Sequence, residues 1–298
     1  MAIPESQLEI WSHQGSVTQS AQTYGMIQKM LNDITSPYYS KDFSIFLQGS
    51  YGNHTNVYRD SDVDIVIRLN QTYYADTNAL SPDAKANYDK AFSRATYQFA
   101  DFRADVLAWL QKKFGADLRA GKKAIVIKGS GSRRDADVLV CAQHRRYRTS
   151  SSGVDAQYDE GIIFWLSDGT EIVNFPKQHT ENCTGKHQNT NQRFKRMVRV
   201  YKNMRNRMID DKCIADGVAP SYFIEGMLWN VPEEKFAQSY TESFVSTFNW
   251  ASNANKTKLV CANDLYWLVR DSSNTCWSVS DFDEYLAATI KFWNEWDT

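Results

Sequence analysis

Gly49-Ser50 closes an apolar run, Phe43 to Leu47, and twelve residues after Ser50 comes Asp62-Val63-Asp64-Ile65-Val66-Ile67. This pattern constrains the chain more than any other part of it. Side chains alternate along a β-strand, so Asp62 and Asp64 share one face while Val63, Ile65 and Ile67 turn into a core. Two carboxylates held side by side repel each other, and such a pair persists most readily with a divalent cation between them. Gly49 permits close backbone approach. Ser50 offers a hydroxyl and an N–H at an expected helix start, a seat suited to phosphate. An isolated Asp-x-Asp would read as a solvated strand end. With the Gly-Ser at this spacing, nucleotidyl transfer is the better reading.

Composition narrows the rest. The chain has 298 residues, of which 42% are hydrophobic and 13% aromatic, enough for one large domain or two intimately packed ones. No apolar run approaches a membrane span, and Met1 to Gln14 lacks the basic and apolar regions of a signal peptide, so a cytoplasmic location without membrane contact is expected. Cys141, Cys183, Cys213, Cys261 and Cys276 form no C-x-x-C pair and read as reduced packing thiols. A net charge of −1 argues against a protein that coats nucleic acid.

Along the chain, helix is expected over 15–35 and over Tyr88 to Phe114, where Phe92, Ala95, Phe99, Phe102, Val106 and Leu110 recur near helical spacing. Strands are expected at 43–48, 62–69, 123–128 and 135–141, with a hairpin of 162–166 and 171–175 turning at Ser167-Asp168-Gly169. From His187 onward the pattern is helical: Phe194 to Met208, Pro220 to Trp229, Glu233 to Trp250 and Ser280 to Trp296. The fold class is therefore α+β: a mixed sheet with helices over 1–186, then a helical lobe over 187–298, with a cleft expected between two lobes.

Two-metal phosphoryl transfer needs a third carboxylate, one cation activating the attacking hydroxyl and the other neutralising pyrophosphate. Arg134-Asp135-Ala136-Asp137-Val138-Leu139-Val140 supplies it, although spacing alone does not choose between Asp135 and Asp137. Asp135 otherwise reads as a strand-start charge paired to Arg133 or Arg134. The five histidines show no metal-ligand spacing, and His179 reads as a structural hydrogen-bonding residue. Between Arg193 and Arg207 seven of fifteen residues are Lys or Arg, with Lys195, Arg199 and Lys202 along one stripe. Most of this face is expected to be solvated, with Lys202 as a point-charge ligand for a triphosphate. Pro220-Ser221-Tyr222 opens the next helix. Ser221 suits either a backbone cap or a phosphate, and Tyr222 either the core or a stacked base.

Gly49-Ser50, Asp62-x-Asp64, Ala136-Asp137-Val138-Leu139-Val140-Cys141 and Val173-Asn174-Phe175-Pro176-Lys177-Gln178-His179 together resemble the CD-NTases, the cGAS/DncV-like nucleotidyltransferases of bacterial anti-phage systems. Pro4-Glu5-Ser6-Gln7-Leu8-Glu9, Trp11-Ser12-His13-Gln14-Gly15, Phe194-Lys195, Arg199, Lys202-Asn203, Pro220-Ser221-Tyr222 and Asn230-Val231-Pro232 are similar to the clade called CdnE. The likeness runs from near residue 4 to about residue 250. It implies a polymerase-β-like core and synthesis of a cyclic dinucleotide second messenger that activates an effector protein. It implies Asp62, Asp64 and Asp137 as ligands of two Mg2+ ions, with Mn2+ able to substitute, and favours Asp137 as the third acid. It also implies Gly49, Ser50, Lys202 and Ser221 at the donor triphosphate and Tyr222 at the base. Clade members that use UTP resemble this chain in carrying Asn at the position of Asn174. That amide matches the N3–H and O4 of uracil and could equally bind adenine. UTP, with ATP as a second candidate, is the expected substrate. A monomer without a stable nucleic-acid partner is the expected state.

Two other readings stand beside this one. An RNA-directed nucleotidyltransferase would share the acids but should carry a basic RNA platform, which the net charge disfavours. A non-catalytic nucleotide- or cation-binding module would leave Ser50, Lys202 and Ser221 without a purpose.

Overall fold

The computed structural model describes residues 2–15, 17–58, 62–149, 157–271, 273 and 275–296. In chain order the elements are α1 (Glu5–Ser12), α2 (Thr18–Leu31), β1 (Phe43–Leu47), α3 (Gly49–Gly52), β2 (Val63–Asp76), α4 (Pro82–Ala91), α5 (Phe99–Phe114), β3 (Leu118–Ala120), β4 (Ile125–Ile127) and β5 (Ala136–Tyr147). They continue with β6 (Tyr158–Trp165), β7 (Glu171–Asn174), α6 (Pro176–Asn189), α7 (Phe194–Asp210), α8 (Ser221–Asn230), α9 (Tyr240–Asn253) and α10 (Val279–Asn294).

The chain divides into two compact units, neither continuous in sequence. One comprises Thr18–Gln48 and Asp62–Lys177; the other comprises Met1–Val17, Gly49–Ser61 and Gln178–Thr298. The boundary expected at 186/187 thus falls at 177/178. The α1 segment and the Gly-Ser turn belong to the helical unit rather than to the sheet. The physical reason for the first is visible in α1: Leu8 and Ile3 are buried in the helical unit's core, and Glu5 accepts the Tyr240 and Thr241 N–H groups at 2.6 and 2.7 Å, capping α9.

Among the described residues the sheet unit holds seven strands. β1 pairs antiparallel with β2, and β2 parallel with β5. The other edge of β5 is shared, its first residues pairing with β4 and its last with β6, while β3 and β7 extend those two branches. The parallel β2–β5 pair lies at the centre of the unit's core. Val63, Ile65 and Ile67 of β2 and Ala136, Val138 and Val140 of β5 are buried there, and α2 and α5 pack against these strands. The hairpin turn closes as expected, with Gly169 at φ +84° and Leu166 N–H on Thr170 O at 2.9 Å.

Three expectations need correction. The helix over Tyr88 to Phe114 is two helices. Ser81 caps α4 through the Ala84 N–H, and α5 starts afresh where Asp101 accepts the Gln98 N–H at 2.9 Å. Glu233 to Trp250 is likewise interrupted, because Ser239 caps α9 at the Glu242 N–H. Helix α6 lies where none is expected: its sequence is polar and its apolar face narrow, so periodicity carries almost no signal.

Candidate active site

Each unit carries some of the candidate residues. In the sheet unit, Asp64 on β2 and Asp137 on β5 are Cα partners across the parallel pair. Both are half-buried, while Asp62, two residues before Asp64 and thus on the same face, is exposed. Burial pushes the Asp137 carboxyl up, Lys123 and Arg119 draw it back, and Asp135 adds to the rise; the net direction is upward. A carboxylate raised by desolvation and by a neighbouring acid is one that a cation would stabilise, so this donor set suits a hard divalent ion. Asp135 has a different task. It is exposed, and its Oδ1 accepts the Gly129 N–H at 2.7 Å, closing the turn before β5. Of the two arginines expected to pair with it, Arg133 or Arg134, the first pairs instead with Asp117 at 2.7 Å.

Asn174 ends β7, half-buried, with its Oδ1 accepting the Phe175 N–H at 2.8 Å. That bond fixes the plane of the amide and leaves the oxygen a second lone pair and the nitrogen two donors. Its partner across the β6–β7 pair is Ile162, and at the preceding Gly161 an added Cβ would stand 2.6 Å from Asn174 O and 2.9 Å from the Phe175 ring. Any other residue at 161 would displace the end of β7.

In the helical unit, Gly49 takes φ +67°, a conformation that costs glycine little. It opens the single turn of α3, with Ser50 half-buried behind it. The Asn53 N–H donates to Gly49 O at 3.1 Å, and the Thr55 N–H to Ser50 O at 2.8 Å. Ser221 begins α8, and its hydroxyl oxygen accepts from Arg205 Nη1 at 3.3 Å while the same guanidinium holds Ala219 O at 2.8 Å. The next ring, Tyr222, stacks on His179 at 5.0 Å and 21°, meets Phe223 edge-on, and accepts from Asn263 Nδ2 at 3.1 Å.

The basic stripe of α7 overturns its expected solvation. Lys195, Arg199, Lys202 and Arg205 are all buried, Lys202 completely. Lys202 Nζ donates to Thr55 O at 3.0 Å, Lys195 Nζ to Thr184 Oγ1 at 3.1 Å, and Arg199 to the carbonyls of Ser12 and His54. Arg196 and Arg207 of the same helix remain exposed, Arg207 pairing with Asp211 at 2.8 Å. Lys202, expected on a triphosphate, therefore has its ammonium turned onto the backbone that follows the Gly-Ser turn.

Sequence reading missed Glu225. It is buried on α8, taking His179 Nε2 at 2.5 Å and Asn53 Nδ2 at 3.1 Å on one oxygen and the Thr55 hydroxyl on the other. Burial alone would raise its pKa, but the His179 bond and charge, Lys202 and Thr55 hold it below the ordinary value. Ligand atoms of His179, Cys183 and Glu225 lie within 4.8 Å of one another, a grouping that the expected lack of histidine spacing overlooked. The signals were His179 and Cys183 one helical turn apart, and a lone acid inside the apolar run Phe223-Ile224-Glu225-Gly226-Met227-Leu228. Burial and Glu225 push the Cys183 thiol well up, and the carboxylate already accepts three hydrogen bonds. These atoms thus form a hydrogen-bonded hub, poorly suited to a cation.

Acids in register on a parallel strand pair within the mixed sheet of one unit, and a left-handed Gly-Ser turn in the helical unit, are the features of a nucleotidyltransferase of the polymerase-β-like fold. Residues 181–294 match the family described as the cGAS/DncV-like nucleotidyltransferase C-terminal helical domain. The chain is 36% identical, over 99% of each sequence, to the cyclic UMP-AMP synthase of Rhodothermus marinus. It is also 36% identical to the cyclic dipurine nucleotide synthase of Elizabethkingia meningoseptica, over 92% of this chain and 93% of that one. The solved Rhodothermus marinus CdnE c-UMP-AMP synthase with Apcpp and Upnpp superposes with a TM-score of 0.89 at 35% identity, covering 99% of this chain and 98% of that one. The chain belongs to the CD-NTase family, the cGAS/DncV-like nucleotidyltransferases, with CdnE synthases among its relatives. It is an enzyme of the cyclic-nucleotide-synthase class. No helix among the described residues is long and apolar enough to cross a membrane.

Proposed function

We propose that the enzyme joins two ribonucleotides, drawn from NTPs, into a cyclic dinucleotide, with UTP as one substrate and cyclic UMP–AMP or cyclic di-UMP as product. The observation that carries this reading is the register of Asp64 against Asp137, with Asp62 on the same face as Asp64. These three carboxylates would hold two magnesium ions. Bound there, magnesium supplies the charge that activates the attacking ribose hydroxyl and offsets the charge of the leaving pyrophosphate. Gly49 gives the backbone close approach to phosphate, and the hydroxyls of Ser50 and Ser221 take phosphate oxygens, that of Ser221 oriented by Arg205. Tyr222 offers its ring to the base. Lys202 serves by holding the Thr55 carbonyl, supporting the turn in place of touching the triphosphate.

Base choice rests on Asn174. Relatives named for a UMP-containing product and for dipurine products are both 36% identical to this chain, so percentage identity does not decide it. A fixed amide offering donor and acceptor matches uracil, and the Phe175 N–H bond fixes it. The product would act as a second messenger for an anti-phage effector protein.

Incubation with four labelled NTPs and magnesium, followed by phosphatase, tests the class of reaction. A phosphatase-resistant, UMP-containing product without added RNA is expected. Extension of added RNA instead, or no reaction with any NTP, would refute the reading.

A further inference from the structure

Glu225 is an expensive residue to keep. A carboxylate removed from water must be repaid by hydrogen bonds and charge, and an apolar residue of similar size would stabilise a helix core more simply. What it does is visible in where its partners lead. Thr55 donates its hydroxyl to one carboxylate oxygen, and the backbone N–H of the same residue holds Ser50 O at 2.8 Å. Asn53 donates its amide to the other oxygen, and its backbone N–H holds Gly49 O at 3.1 Å. Thr180 Oγ1 locks the Asn53 amide orientation at 2.7 Å. Lys202 closes the circuit from behind, on Thr55 O at 3.0 Å. Both carbonyls of the Gly-Ser turn are therefore tied, one residue removed, to a single carboxylate. His179 meets the same carboxylate at 2.5 Å and carries Tyr222 stacked on its ring.

We propose that Glu225, acting through Thr55, Asn53 and His179, is a positioning residue that presets the Gly49-Ser50 turn and the Tyr222 ring for nucleotide binding. The proposal rests on the reading above that Ser50 and Tyr222 meet the nucleotide. A buried hub of this kind fixes two contact groups before substrate arrives, so the cost of ordering them is met in folding instead of in binding. The carboxylate suits the task because it accepts from three donors at once, which no neutral side chain of its size does.

The test uses the full-length protein and three variants. Glu225→Gln keeps the shape but turns one acceptor into a donor facing groups that already donate. Thr55→Val removes a single hydroxyl and leaves the carboxylate and Lys202 in place. Leu228→Ala, a buried α8 residue that meets none of these groups through a hydrogen bond, is the control for simple destabilisation. Glu225→Gln is expected to raise the KM for NTP about tenfold with kcat changed less than about threefold, and Thr55→Val to do the same more weakly, about threefold. Leu228→Ala should lower the melting temperature without moving KM. Hydrogen exchange supplies a readout that needs no activity: peptides covering 48–58 should lose protection in Glu225→Gln while those of α9 and α10 keep theirs. If Glu225→Gln does not fold, Thr55→Val carries both readouts. Unchanged KM together with unchanged protection at 48–58 would overturn the proposal. So would a uniform loss of protection matching that of Leu228→Ala. A wild type inert toward all NTPs would refute the nucleotide reading instead, and local loss of protection at 48–58 would then still show the hub holding the turn.

Discussion

The two units hold their proposed site residues by different means. In the sheet unit, Asp62, Asp64 and Asp137 are set by backbone alone: strand alternation puts the first two on one face, and β2–β5 register brings Asp137 opposite Asp64. In the helical unit, Ser50, Ser221 and Tyr222 depend on buried polar side chains, with Glu225, Lys202 and Arg205 standing behind them. A strand-borne site is thus robust in position and vulnerable only in its own side chains. A loop-borne site can be broken from beneath, by residues that touch no substrate.

The largest expected effect falls on the acids. Asp62→Asn with Asp64→Asn should abolish product while the protein still folds, since each change keeps the side chain's shape and removes charge at a half-buried or exposed position. The loss should exceed the roughly hundred- to thousandfold that follows removal of one transition-state stabiliser. Quantitative product chromatography and thermal denaturation of the same samples check both halves.

The contrast sharpens at Lys202. If the helical unit's site is held from beneath, Lys202→Ala should destabilise the fold itself, by about 1.5–3 kcal/mol, the range for a hydrogen bond made by a charged group, here to the Thr55 carbonyl. Arg207→Ala, losing an exposed pair with Asp211, should cost under about 1 kcal/mol. Urea denaturation measures the difference. Equal, small effects from both would mean that Lys202 is not structural.

Asn174 comes next. Asn174→Ser removes the paired donor and acceptor, and incorporation should shift from UTP toward purine nucleotides by about tenfold to a hundredfold, the worth of one bidentate contact. Competition at equal NTP concentrations, read by mass spectrometry of the products, reports the ratio. A wild type that ignores UTP would end the uracil assignment.

The smallest effect is on pH. Glu225 is held below its ordinary carboxyl pKa, so the folded protein releases this proton more readily than the unfolded chain. Its contribution to stability is present in full above the unfolded value near 4.5 and is lost as pH falls through the lower folded value. Of the groups around it, His179 and Lys202 supply the opposing charge. The melting temperature of the wild type should therefore fall faster on acidification than that of Glu225→Gln, and the gap between them should narrow.

Which parts of this were legible in the sequence follows from the same contrast. Asp62-x-Asp64 could be read because period-two alternation against Val63 and Ile65 is written in neighbouring residues, whereas alternation left Asp135 and Asp137 equal and only the family resemblance favoured Asp137. The hairpin at 167–169 was legible for the same local reason. The basic stripe was misread because burial of Lys195, Arg199 and Lys202 depends on carbonyls far away in sequence, at Thr55, Ser12 and His54, which no periodicity reveals. Glu225 was invisible on similar grounds: its partners come from residues 53, 55 and 179. The breaks at 92–98 and before α9 are set by the caps at Gln98 and Ser239, and the apolar spacing runs through both.

One measurement reaches the central claim most directly: product formation from α-labelled NTPs by the wild type, Asp137→Asn and Asp135→Asn side by side. Asp137 faces Asp64 across the strand pair, whereas Asp135 closes the Gly129 turn. The expected result is a phosphatase-resistant product from the wild type and from Asp135→Asn, with none from a folded Asp137→Asn. Retained activity in Asp137→Asn, with activity lost in Asp135→Asn, would contradict the assignment of the in-register acids as the catalytic set.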